Sequence, residues 1–309
     1  MSRALVIGCG GTIGGAWTMA ALAALADQLD WDPREAAVLQ GTSAGAEIVT
    51  MLSGGCSAHD LVAMQEESTD DPVLIRHLAA TPAPLPRIPF SLPSQPSTLW
   101  SRTGGHAPLT GIAPRGRGDA SWLQELADST LGPGAPVPDR ARLVAYEPAT
   151  GERVAFGAPG APSATAGEAL RASWAIPAWM PPVTIGGRTF VDGGAASTAS
   201  LDLVGPDDAD EIYAIVSMAS APGVRGPGLG GLLEQAVLRR PMSTVFWREV
   251  AVARARGQRV TVIAPDGADL AGLGANFMAR GKRAQAFASA QRTAPEAVRR
   301  ALSGEAVTR

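Results

Sequence analysis

Ser43 stands at the centre of Gly41-Thr42-Ser43-Ala44-Gly45, a serine with a glycine two positions away on each side. The apolar run Ala36 to Gln40 before it reads as a strand, and "AGAEIVTMLSGG" after it as a helix stopped by Gly54-Gly55. A G-x-S-x-G corner between strand and helix is a nucleophile elbow, a strained turn that pushes a hydroxyl toward a substrate. The following helix points its N-terminus at the same spot and favours negative charge there. The plain alternative is that the small residues only let a helix pack close to a strand.

A serine hydroxyl needs a base to act as a nucleophile. The histidines are His59, His77 and His106. An α/β-hydrolase triad runs Ser, then Asp or Glu, then His along the chain, and no histidine follows residue 106. That leaves a serine–aspartate dyad with Asp192, in "FVDGG", Phe190 to Gly194. An Asp-Gly pair is also an ordinary turn. With a reference pKa of about 3.9, an aspartate is a weak base unless a hydrogen bond to the serine and burial in a dry cleft assist it.

The third candidate is the glycine-rich "GCGGTIGG", Gly8 to Gly15, after the apolar run "RALVIG". As a dinucleotide fingerprint it is degraded: counting from Gly8, the third position is Gly10 but the sixth is Ile13. As a fan of backbone N–H groups it would serve as an oxyanion hole. Both uses place the loop at the carboxyl ends of neighbouring strands, but only the second gives Ser43 a role.

The elements that must hold these residues alternate between strand and helix. "RALVIG" and "AAVLQ" read as buried strands, "TMAALAALADQL" as a helix packed on a sheet, and "SAHDLVAMQEES" as a helix close to a capping box on Ser57 and Asp60. "ARLVAYEPATGERVAF" reads as a hairpin turning at Thr150-Gly151, and "PPVTIGGRTFVDGG" as a second turning at Gly186-Gly187. "DASWLQELADSTLG" and "AGEALRASW" are helices, while "DEIYAIVSM" and "QRVTVIAP" are further strands. The order points to an α/β fold with a doubly wound, mostly parallel sheet flanked by helices.

A single domain over residues 1–309 is expected, with the part from Leu229 to the end mainly helical. Residues 69–118 differ, because prolines at 72, 82, 84, 86, 89, 93, 96, 108 and 114 forbid long regular structure over most of the span. Interspersed Leu85, Ile88, Phe90, Leu92, Leu99 and Trp100 suggest an ordered cap or lid, the alternative being an insertion without a role.

The 309 residues are 46% hydrophobic and 18% charged with a net charge of −3, a globular composition with no global basic character, which argues against nucleic acid as a partner. Two cysteines, Cys9 and Cys56, suit a reduced, cytoplasmic setting better than a disulfide framework. The first residues resemble a signal peptide, but glycines at 8, 10, 11, 14 and 15 would interrupt its apolar core. No apolar run reaches the roughly 20 residues of a spanning helix. No His, Cys, Asp and Glu set has metal-ligand spacing, and no metal or cofactor is expected.

Taken together, the glycine loop, "GTSAG", "ASWAIPAWMPPV" (Ala172 to Val183) and "VDGG", in that order, resemble the patatin-like phospholipase family over roughly residues 3 to 265. The Ala172 to Val183 segment is the most specific part. The resemblance implies that Ser43 is the nucleophile and Asp192 its base. It places the oxyanion hole on the backbone of Gly10, Gly11 and Thr12, with the N–H of Ala44, and marks Gly8, Gly41, Gly45, Gly193 and Gly194 as motif glycines. The family usually carries Arg or Lys in the loop, where this sequence has Ile13. The implied activity is acyl-ester hydrolysis on a lipid, through an acyl-enzyme and with transient contact to a membrane surface. The alternatives are an acyltransferase or thioesterase on a lipid or natural-product acyl group, and a nucleotide-binding protein using Gly8 to Gly15. Trp100, Trp174, Trp179, Met180 and Phe190 would line an acyl pocket or belong to the ordinary core.

Overall fold

The computed structural model describes residues 1–80, 105–107, 113–221, 223–224, 226–228, 231, 235–274 and 276–304. The strands are β1 (Arg3–Ile7), β2 (Val38–Thr42), β3 (Ala141–Glu147), β4 (Glu152–Phe156), β5 (Val183–Ile185), β6 (Arg188–Asp192), β7 (Glu211–Ile215) and β8 (Arg259–Ile263). The helices are α1 (Gly11–Leu29), α2 (Ala44–Ser53), α3 (Ala58–Gln65), α4 (Pro72–Ala79), α5 (Ser121–Leu131), α6 (Ala166–Ser173), α7 (Arg240–Ala255), α8 (Gly267–Leu273) and α9 (Arg283–Ser303).

The strands form one mixed sheet in the order β5-β6-β3-β2-β1-β7-β8, with β4 also paired to β3. Its centre, β3-β2-β1-β7-β8, is parallel, while β4, β5 and β6 join by antiparallel pairing. Side chains alternate across the central strands. Leu5, Ile7, Tyr213 and Ile215 enter the core on the side of α1, α2 and α9, whereas Ala4, Val6, Ile212 and Ala214 meet Phe246, Val250 and Ala253 of α7 on the other. Near-continuous apolar strands are what a sheet covered on both faces requires. Each fully buried Trp, Leu or Ile in these layers contributes roughly 1.5–3 kcal/mol.

The glycine-rich stretch differs from the loop expected over Gly8 to Gly15. Only Gly8, Cys9 and Gly10 separate β1 from α1, and the helix starts at Gly11 rather than near Thr18. Packing explains this: a Cβ on either Gly10 or Gly14 would stand 2.4 Å from the Ser217 hydroxyl oxygen, so only glycine lets the first turn of α1 run against the chain leaving β7. From Ile13 to Ala26 the helix is buried without interruption.

In the proline-rich span, α4 forms at its beginning because Pro72 falls in the first turn, where no amide hydrogen is needed, and Asp71 caps that turn through Val73 N–H. Leu85, Ile88, Phe90, Leu92, Leu99 and Trp100 lie outside the described residues. Among the described residues no helix is long and apolar enough to cross a membrane.

Candidate active site

Ser43 occupies the single residue between β2 and α2, with φ 56° and ψ −119°. A non-glycine residue at positive φ stores about 1–3 kcal/mol of strain, held by its surroundings. Those surroundings are very close: a Cβ on Gly41 would lie 2.3 Å from the Gly45 carbonyl oxygen, and one on Gly45 would lie 2.2 Å from that of Ile7. The two glycines therefore let α2 leave β2 directly alongside β1. The close packing of the helix on the strand and the strained turn at the serine both occur in this one corner.

Asp192 ends β6, and β3 brings it to Ser43. Along β3, Leu39 to Thr42 pair with Ala141 to Val144, and the next residue, Ala145, pairs with Asp192. The other edge of β3 is occupied by β4 from Leu143 to Glu147. Thus β6 continues the edge that β2 vacates at Thr42, and Asp192 arrives beside Ser43. The Asp192 carboxylate accepts a hydrogen bond from Gly194 N–H at 2.7 Å. Burial, only partly offset by this bond and by the neighbouring Ser43 side chain, pushes Asp192 up to about 7.

A cavity of about 360 Å³, at the lower end of the size range of small-molecule sites, is lined by both residues. It lies at the carboxyl ends of β1 and β2. Ile176, Trp179, Met218, Met242 and Phe277 give it apolar walls, with the Trp179 and Phe277 rings 5.8 Å apart. Cys9 and Gly10 form part of its floor together with Gly11. The amides around them are allotted unevenly: Gly8 N–H donates to Ile215 O, Cys9 N–H to Thr198 O and Ile13 N–H to Phe277 O. Among the described residues no hydrogen bond occupies the N–H of Gly10, Gly11, Thr12 or Ala44, which lie at the N-terminal ends of α1 and α2. Gly10 and Gly11 line this cavity, whereas Thr12 and Ala44 line a neighbouring one beside Glu47 and His77; a helix N-terminus favours negative charge.

Ile13 carries no charge to this site; it is 1% exposed and its side chain belongs to the core. Of the apolar residues considered for an acyl pocket, Trp179 lines the cavity. Trp174 instead packs edge-on against Trp122 at 5.3 Å and Phe190 against Phe156 at 5.0 Å, while Met180 is buried. Trp100 lies outside the described residues.

The histidines are distributed differently from one another. His59 forms an exposed pair with Asp27, and His77 is buried against Glu47 at 2.6 Å. His106 lines the cavity, its Nε2 held 2.8 Å from Val237 O. Chain order alone gave His106 no place in the site; its position depends on its backbone N–H, which donates to Ala195 O at 2.7 Å. Cys9 is a second lining residue without a sequence-level signal. Its thiol is pushed up to about 12 by burial and by the neighbouring Asp192 charge, so it stays protonated. Both cysteines are free, and among the described residues no group of His, Cys, Asp and Glu is arranged to hold a metal ion.

An α/β sheet thus carries a strained serine corner, a buried aspartate and the amides of Gly10 and Gly11 at one cavity. A model of the patatin-like phospholipase family matches residues 5–204, well over half of the chain and including both Ser43 and Asp192. The chain belongs to that family, and membership supports lipid acyl hydrolase activity in general terms. Among solved structures it is similar to the crystal structure of VipD from Legionella pneumophila, at 13% identity and a TM-score of 0.44, covering 96% of this chain and 67% of that one. No curated protein matches it significantly.

Proposed function

We propose that this protein hydrolyses acyl esters of lipids with a Ser43–Asp192 dyad. The observation that carries the reading is a strained serine and a buried carboxylate, each lining one apolar cavity. Asp192, raised to about 7, is a far better proton acceptor than an ordinary aspartate and is still ionised at slightly alkaline pH.

The steps follow from this arrangement. Asp192 takes the Ser43 proton as Oγ attacks the ester carbonyl carbon. The carbonyl oxygen gains the charge and accepts hydrogen bonds from free amides among Gly10, Gly11, Thr12 and Ala44, each worth on the order of 10² to 10³ in rate. Asp192 then gives its proton to the departing alcohol, leaving the acyl group on Ser43. A water molecule, deprotonated by Asp192, attacks that ester, and Asp192 returns the proton to Ser43 Oγ as the acid leaves. The apolar walls take the acyl chain and keep the carboxylate dry.

The test is covalent labelling with a fluorophosphonate followed by peptide mapping. Labelling confined to the peptide containing Ser43, lost in Ser43→Ala, is expected. Absence of labelling in the folded protein, with Ser43→Ala retaining full esterase activity, would end the reading.

A further inference from the structure

We infer that Ser173 is a positioning residue for the reaction: its hydroxyl, with the chain just after it, clasps the nucleophile and the base at a set separation. The inference rests on the dyad proposed above and extends it to a residue outside the cavity lining.

Ser173 is the last residue of α6 and is fully buried. Its Oγ accepts the backbone N–H of Ser43 at 2.9 Å, and its hydroxyl donates to Val144 O at 2.6 Å. A serine hydroxyl has one hydrogen to give and lone pairs to receive, and here it does both without water. Two residues on, Ala175 O accepts the backbone N–H of Asp192 at 3.0 Å. The stretch Ser173-Trp174-Ala175 therefore holds Ser43 with its first residue and Asp192 with its third.

Val144 closes the arrangement, because it pairs with Thr42 while its neighbour Ala145 pairs with Asp192. Ser173 thereby ties the strained residue at φ 56° to the strand row that separates the two arms. Its helix is itself held in register at the other end by a reciprocal cap between Thr165 and Glu168. Without the Ser173 oxygen, two buried backbone groups lose this partner and the Ser43 backbone loses one of the restraints that hold its strained geometry. A displacement of about 1 Å at a reacting atom can cost on the order of 10²-fold in rate. Substrate binding, set by the cavity walls, is untouched by such a shift.

The experiment compares Ser173→Ala and Ser173→Thr with the wild type on a short activated ester. Active sites are counted by fluorophosphonate titration and folding is checked by circular dichroism. The expected result for Ser173→Ala is a fall in kcat per titrated site of about tenfold to a hundredfold, a slower labelling rate and a KM within twofold of wild type. Ser173→Thr, which keeps the hydroxyl, should recover most of kcat; Ser173→Cys, nearly isosteric and a weak hydrogen-bonding group, replaces Ser173→Ala if that variant does not fold and should show the same kcat loss. An unchanged kcat per titrated site, or a loss confined to the number of titratable sites, would overturn the inference. If wild-type Ser43 is not labelled, the dyad itself fails; if it is labelled and Ser173→Ala turns over normally, only the clasp fails.

Discussion

Asp192 pairs with Ala145 in the row of β3 immediately beyond the pair formed by Thr42 and Val144. One strand thus receives β2 on its first half and β6 on its second half, along the same edge. The serine and the carboxylate are brought together at the seam between them, although 149 positions separate 43 from 192.

Removing either arm should remove the chemistry and spare the fold. Ser43→Ala and Asp192→Asn are each expected to lower kcat/KM on a short activated ester by about 10³ or more. Circular dichroism should be unchanged, since Asn keeps an oxygen for the Gly194 N–H. Activity in Asp192→Asn within tenfold of wild type would exclude Asp192 as the base.

The pH profile follows from the burial of that carboxylate. As the proposed base, Asp192 would act only when ionised, and burial pushes it up from 3.8 to about 7. The rate constant kcat/KM should rise with pH and level off above this value. A rate already constant from pH 5 upward would show an ordinary carboxylate or a different base.

The same shift has a stability consequence of opposite sign. The folded protein holds the Asp192 proton up to about pH 7, while the unfolded chain releases it near 3.8, so stability from this group is present at low pH and lost as pH rises through that window. At roughly 1.4 kcal/mol per pKa unit, Asp192→Asn should be more stable than wild type by a few kcal/mol at pH 8 and show little gain at pH 4. Urea midpoints at the two pH values check this; equal gains at both would contradict it.

Gly45 tests the corner. A methyl there would sit 2.2 Å from Ile7 O, which is backbone and cannot swing aside. Gly45→Ala should cost about 1–3 kcal/mol or more and abolish labelling of Ser43, whereas Gly55→Ala, at φ 103° with open space around it, should cost stability and leave labelling intact. Normal labelling in Gly45→Ala would show that the corner is not constrained by β1.

His106 separates a dyad from a dyad with a helper. Its Nε2 is occupied by Val237 O, so His106→Ala should change KM through the cavity wall and leave kcat nearly unaltered. A general base would instead cost about 10² to 10⁴ in rate.

Much of the fold is legible in local sequence. Thr165-x-x-Glu168 and Ser57-x-x-Asp60 form reciprocal caps in the structure, and both hairpins turn at the glycines the pattern marks. Such signals lie within a few residues of one another, so they act before any long-range contact forms. The start of α1 is less legible, because glycine's poor helix propensity is overridden by Ser217, which is 207 positions from Gly10.

What the sequence by itself determined is therefore which residues could do chemistry and which kind of element each ends or begins: Ser43 between strand and helix, Asp192 at the end of a hairpin, glycines where helices crowd strands. Only the tertiary structure decided that β6 takes up the edge of β3 where β2 stops, that the Ser173 hydroxyl lies between Ser43 N–H and Val144 O, and that His106 and Cys9 face the same cavity. The physical reason is that strand register and burial are set by contacts summed over distant segments, and the raised Asp192 pKa exists only once those segments have excluded water from it.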